Sequence, residues 1–139
     1  MSGSRRITIT LVLILSGCGA SLSSVAQEEP CDGPSYMHGA KCVADKREVA
    51  EQELDRAYQD ALRRARSEDQ FRLERGLEAI YGDLLVESQR VWRKYTDIDC
   101  ELSGLASGAG GPWVGVHASE CVYHNTRKRI VVLNGLWAG

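Results

Sequence analysis

Apolar residues recur at helical spacing in three successive segments of the chain. In the first segment, from Lys41 to about Glu68, no proline or glycine interrupts the pattern. Leu54, Tyr58 and Leu62 recur there every four residues, which is the spacing of one face of a helix. Together the three segments predict an all-α fold class, a small antiparallel three-helix domain.

The second segment follows a turn predicted at residues 67–70 and runs to about Leu102. When its positions are projected at about 100° per residue, most large apolar side chains fall on one face and the charges fall largely elsewhere. That face contains Leu77, Ile80, Tyr81, Leu84, Ser88, Val91, Trp92, Tyr95 and Ile98. We therefore predict that Trp92 and Tyr95 are core residues rather than an aromatic ligand site.

A glycine-rich segment with Pro112, residues 103–115, predicts an ordered turn or mobile loop at the end of the second helix. The third segment runs from His117 to about Trp137. Its apolar stripe would contain Cys121, Val122, Ile130, Leu133 and Trp137. Because the run RIVVL is also typical of a strand, a strand remains the alternative there.

The N-terminus has the pattern of an export signal. Arg5 and Arg6 precede an apolar run at residues 7–15. This run is too short to cross a bilayer as a helix, which needs about 20 apolar residues. The chain is therefore expected to be exported, to the bacterial envelope.

The sequence LSGC, which ends at Cys18, matches a bacterial lipobox. We expect residues 1–17 to be a lipoprotein signal peptide, Cys18 to be the lipidation site and residues 18–30 to be a tether for the domain at 31–139. Ordinary cleavage after Ala26 is the alternative. The first cleavage predicts a membrane-anchored lipoprotein, and the second predicts a periplasmic or secreted protein.

Four cysteines remain once Cys18 is set aside, and an even number in a small exported domain is typical of disulfides. Three pairings are possible. We favour Cys31–Cys42 and Cys100–Cys121, because each bond would close a loop beside a helix end and contribute about 2–4 kcal/mol. The sequence contains no C-x-x-C and no zinc-type spacing, so no metal site and no cofactor are predicted.

Charge and motifs argue against several classes of function. Without Arg5 and Arg6, 15 basic residues face 19 acidic ones, a formal net charge of −4, which suits nucleic-acid binding poorly. His117 and Ser119 are neighbours in the sequence, but no third catalytic partner is identifiable. The GAGG sequence at residues 108–111 lacks the Gly-Lys-Ser/Thr of a phosphate loop. We predict that the protein is not an enzyme and has no catalytic residues.

Asp99 projects near the predicted apolar face of the second helix, and a buried carboxylate needs a partner. We expect it to pair with Arg129 of the third helix. Recognition of another protein by an exposed Asp99 is the alternative.

Three segments share the order and spacing of a known family. LDRAY, SQRVWRKYTDIDC and CVYHNTRKRIVVL resemble the lysozyme inhibitor LprI-like N-terminal domain family. The matching positions are Leu54, Tyr58, Gln89, Trp92, Tyr95, Asp97, Cys100, Cys121, Thr126, Arg129 and Leu133, and the pair Cys31 and Cys42 also fits. Asp55, Ser88 and Thr96 stand where the family pattern has Asn, Ala and Arg. The resemblance makes Asp97 and Arg129 polar partners, which competes with an Asp99–Arg129 pair.

The resemblance implies a small, disulfide-stabilised helical domain of the envelope, often on a lipoprotein, with lysozyme or another envelope protein as its partner. An inhibitor of a basic lysozyme has to block a cleft that contains two carboxylates. We expect the glycine-rich loop with Trp113 and His117 to enter that cleft. The alternative is a structural or protein-interaction module of the envelope without lysozyme activity, for which Arg63, Arg64 and Arg66 form a candidate surface.

Overall fold

Three helices make up the part of the chain that the structure describes. The computed structural model describes residues 31, 33 and 35–137, with α1 at Tyr36–Leu73, α2 at Tyr81–Ala106 and α3 at Trp113–Gly135. Each helix contacts the other two, and these residues include no strand. The all-α prediction is confirmed, and the strand alternative for RIVVL is wrong. The predicted signal peptide, lipidation site and tether lie outside the described residues.

α1 is longer than the sequence pattern predicts. It begins after Ser35, whose Oγ accepts a hydrogen bond from the backbone N–H of His38 at 3.3 Å, as an N-cap residue does. The helix then continues through residues 67–70 to Leu73. The turn predicted at residues 67–70 is therefore wrong, because the polar residues there lie on α1 and do not interrupt it.

Asp69, within that stretch, caps the next helix instead. Its carboxylate accepts hydrogen bonds from the backbone N–H groups of Ile80 at 2.7 Å, Tyr81 at 2.8 Å and Gly82 at 2.7 Å. The start of a helix leaves such N–H groups without partners. Asp69 therefore caps the N-terminus of α2, although it belongs to α1. Burial acts to raise the pKa of Asp69, but these three hydrogen bonds and the charge of Arg72 hold it below its usual range.

The face of α2 that contacts the other helices differs from the one that hydrophobicity predicts. Its buried residues are Gly82, Leu85, Gln89, Thr96, Cys100 and Gly104. Trp92 packs against the core as predicted, but Tyr95 is 61% exposed and Ile98 is 59% exposed. The prediction that Tyr95 is a core residue is therefore wrong. The disulfide to Cys121 holds Cys100 against α3, and this fixes which side of α2 faces inward.

Two apolar clusters and two disulfides hold the helices together. The main cluster contains Leu54, Ala57, Ala61, Leu62, Ala65, Leu85 and Leu133, with Tyr58, Trp92, Ile130 and Trp137 packed against it. The second cluster contains Cys31, Val43 and Val116, with Trp113 packed beside them. The disulfides are Cys31–Cys42 and Cys100–Cys121, as predicted.

Candidate functional site

A hydrogen-bonded arginine joins α2 and α3. Arg129 of α3 donates from Nε to Gln89 Oε1 and from Nη2 to Ser88 Oγ, each at 2.9 Å. Its guanidinium carbon lies 5.7 Å from the centre of the Trp92 ring, within the range of a cation–π contact. The partners of Arg129 are therefore neutral side chains, so the predicted pairing with Asp99 is wrong, and the Asp97 pairing that the resemblance implied is not formed either.

The charge of Arg129 has no acidic partner in the described part of the chain. No carboxylate there forms an ion pair with it. Partial burial lowers the pKa of this guanidinium from its usual value, yet an arginine remains protonated in proteins. The groove between α2 and α3 therefore holds a fixed positive charge that is only partly in water.

Glu51 links the three helices on another side. Its Oε2 accepts a hydrogen bond from Arg93 of α2 at 3.2 Å, and its Oε1 lies 3.5 Å from the hydroxyl of Thr126 on α3. The Arg93 side chain is half exposed, and such surface pairs contribute little to stability. These contacts join the three helices without involving Arg129.

The positions that matched the family pattern come together in the fold, apart from two. Leu54 and Leu133 are buried in the main cluster, and Tyr58 and Trp92 pack against it. Gln89 and Thr126 are buried polar residues, and Arg129 bonds to the first of them. Tyr95 and Asp97 are exposed. Most of the pattern is thus explained by packing and by contacts between helices, and these two positions are explained by neither.

The outward face of α2 carries a continuous row of exposed apolar residues, here called the α2 row. It consists of Leu84, Val91, Tyr95, Ile98, Leu102 and Leu105, with Ser88 as its polar member. The spacings of three and four residues place all seven on one side of the helix. Leu84, Tyr95 and Leu102 are each more than 60% exposed. Most of these residues belong to the face that the hydrophobicity pattern assigned to the core.

The two residues predicted to enter a partner from a loop lie on a helix. The connection between α2 and α3 is only residues 107–112, and both Trp113 and His117 belong to α3. The Trp113 ring lies 6.3 Å from that of Tyr36 and packs in the second cluster. His117 is exposed, and its Nδ1 is 3.4 Å from Glu120 Oε2. Of the pair, only His117 projects into solvent.

Other predicted features are also placed by the structure. The cluster Arg63, Arg64 and Arg66 is exposed on α1, and Arg63 pairs with Asp60. Within the described residues, no group of histidine, cysteine, aspartate or glutamate is arranged to hold a metal ion. None of the described helices has the length and apolar character needed to cross a membrane.

Neither the α2 row nor the cap from Asp69 was predicted from the sequence. A signal for the row was present, because Cys100 had been expected to face the third helix. Counting back from Cys100 in helical steps gives Thr96, Gln89 and Leu85 as the inward residues, which leaves the apolar row outside. No comparable signal pointed to Asp69, since its partners lie 11 to 13 residues further along the chain.

The fold and its contacts define a small, disulfide-linked helical domain with an exposed apolar helix face. The family model described as lysozyme inhibitor LprI matches residues 31–133. The chain belongs to this family. No curated protein and no solved structure matched the chain.

Proposed function

We propose that this protein is exported to the bacterial envelope and inhibits lysozyme by binding to it. The observation that carries the proposal is the match of the lysozyme inhibitor family across nearly the whole helical domain. Two disulfides are consistent with export, because such bonds persist in oxidising compartments.

Charge supports binding to a basic lysozyme. The exported chain carries a formal net charge of −4 once Arg5 and Arg6 are removed. Complementary charge accelerates association and favours the correct partner. An inhibitor needs no chemistry of its own, since covering the cleft with its two carboxylates is sufficient.

We also propose that Cys18 carries a lipid and that residues 18–30 tether the domain to a membrane. The lipobox sequence LSGC supports this proposal. Replacement Cys18→Ala should move the protein from the membrane fraction to the soluble envelope fraction, and mass spectrometry of the wild-type N-terminus should find a modified Cys18. A mature N-terminus at Gln27 would instead support ordinary cleavage after Ala26.

A second candidate function is an envelope interaction module without lysozyme activity. The exposed α2 row favours it, because a contiguous apolar surface commonly marks a protein-binding site. Purification of the tagged protein from envelope extracts in a stoichiometric complex with one envelope protein, without any inhibition of lysozyme, would support this alternative.

Inhibition of a purified, basic animal-type lysozyme tests the main proposal. The protein from residue 19 to 139, with both disulfides formed, is titrated into a cell-wall lysis assay. Saturable inhibition is expected, and the reduced and alkylated protein serves as the control. Full lysozyme activity in the presence of a micromolar excess of folded protein would contradict the proposal.

A further inference from the structure

We propose that the α2 row and Arg129 form the surface that enters the lysozyme cleft, with the Arg129 guanidinium facing the catalytic carboxylates. This inference rests on the proposed function and names the surface that performs it. It differs from the expectation that Trp113 and His117 enter the cleft.

The α2 row has the size and exposure of a binding surface. It extends from Leu84 to Leu105, a distance of about 31 Å at the helical rise of 1.5 Å per residue. Its large side chains are each about half exposed or more. Monomeric proteins rarely expose a contiguous apolar surface beyond a few hundred Å² unless the surface binds something.

Arg129 is connected directly to this row. Ser88 lies between Leu84 and Val91 on the same side of α2, and its hydroxyl accepts a hydrogen bond from Arg129. The contacts with Gln89 and Trp92 hold the guanidinium in one orientation. The row therefore presents a pre-positioned cation beside its apolar side chains, and a cation that is already ordered loses less entropy on binding.

The charge of this surface matches the chemistry of the cleft. A lysozyme has two catalytic carboxylates, one of them in an apolar pocket. The Nη1 of Arg129 donates to no partner in the part of the chain that the structure describes. An arginine can bind a carboxylate through two parallel hydrogen bonds, and the apolar row would exclude water from that contact.

A cleft at one end of the row could receive a side chain of the partner. It has a volume of about 280 Å³ and lies between the start of α2 and the end of α3. Its lining residues are Tyr81, Leu84, Leu85, Ser88, Leu136 and Trp137. Because Ser88 lines the cleft and also bonds to Arg129, the cleft, the cation and the row form one continuous surface.

Ser88→Asp tests the charge without removing any packing. The new carboxylate would lie beside the Arg129 guanidinium, neutralise it and repel the carboxylates of lysozyme. We expect an unchanged or higher Tm and an inhibition constant raised by at least about 30-fold, since like charges brought together at an interface are strongly unfavourable. Ser67→Asp, the same change at an exposed position of α1, is the control and should inhibit as the wild type does.

Tyr95→Ser combined with Ile98→Ser tests the apolar part of the surface. Both side chains are mostly exposed, so the double variant should fold normally. We expect inhibition weakened by at least about 30-fold, the effect of losing a central interface residue. The control is Val49→Ser combined with Val131→Ser, which changes exposed apolar residues on α1 and α3.

The outcomes separate the two proposals. If the wild type inhibits and both α2 variants are weakened while the controls are not, the surface is supported. If every variant inhibits equally, the proposed surface is overturned and the proposed function stands. If the wild type does not inhibit, both fall. If light scattering shows a dimer that the Tyr95 and Ile98 changes convert to a monomer, a second copy covers the row and the proposed surface is overturned.

Discussion

The two faces of α2 differ in a way that hydrophobicity alone does not explain. The inward face buries Gln89 and Thr96, two polar residues, whereas the outward face exposes Leu84, Tyr95 and Ile98. The inward face is set by a covalent bond to α3 and by side chains that complement its neighbours. The apolar row on the outward face has no partner among the residues that the structure describes. This difference between the two faces is the observation that indicates a binding surface.

The largest expected effect on stability comes from replacing a leucine with alanine on the inward face of α2. The same substitution on the outward face serves as the comparison. Leu85 is 6% exposed and Leu84 is 63% exposed, although they are neighbours in the chain. Leu85→Ala should lower the free energy of unfolding by about 2–5 kcal/mol through the cavity it leaves. Leu84→Ala should change it by about 0.5 kcal/mol or less. Chemical denaturation measures both, and equal losses would contradict the assignment of the two faces.

Removing the Cys100–Cys121 disulfide, which fixes the inward face of α2, should have the next largest effect on stability. The double variant Cys100→Ala and Cys121→Ala opens a loop with a sequence separation of 21 residues. We expect a loss of about 2–4 kcal/mol in the free energy of unfolding. The matched variant that opens Cys31–Cys42, with a separation of 11, should lose about 0.6 kcal/mol less, because its loop is about half as long. A larger loss on opening Cys31–Cys42 would show that contacts, rather than loop closure, determine how much each disulfide stabilises the fold.

Asp69→Asn tests the hydrogen bonds by which Asp69 caps the N-terminus of α2. Asparagine can replace only part of the three hydrogen bonds, so the Tm should fall by about 4–8 °C at neutral pH. The pKa of Asp69 is lower in the folded protein than in the unfolded chain. Its stabilisation is therefore present above about pH 4 and is lost as the pH falls through the folded value. The variant should have a flatter acid limb in a Tm-against-pH series, and parallel curves would contradict this role.

Thr96→Val should have the smallest effect. The Thr96 side chain is 2% exposed, and its hydroxyl has no hydrogen-bond partner among the described residues. Replacing a buried, unsatisfied hydroxyl with a methyl group of similar size should be neutral or stabilise by up to about 1 kcal/mol. Denaturant titration of the two proteins is the measurement. A loss above about 1 kcal/mol would indicate that the hydroxyl has a role that its contacts do not reveal.

The sequence predicted what depends on local pattern. Three helices, the position of Trp92 in the core and both disulfides followed from spacing and composition. The end of α1 could not be predicted from the local pattern. Residues 67–70 resemble a turn with the N-cap of a new helix, whereas Asp69 bonds to amides that lie beyond the turn after α1. The inward face of α2 could not be predicted in this way, because it buries Gln89, which bonds to Arg129 of α3, and Thr96. A hydrophobicity projection counts only apolar residues and therefore misses both.

The candidate binding surface was predictable only in part. Arg129 was identified as a polar contact of the third helix, but its neutral partners depend on how the two helices pack. The pair Trp113 and His117 was chosen because the loop was expected to extend further. In the structure α3 begins at Trp113, whose ring packs inward.

Nuclear magnetic resonance of the ¹⁵N-labelled protein, titrated with unlabelled basic lysozyme, locates the lysozyme-binding surface directly. We expect the largest shifts at the amides of the α2 row and at the Arg129 side-chain Nε–H. Shifts confined to Trp113, His117 and their neighbours at the start of α3, with the α2 row unchanged, would contradict this expectation.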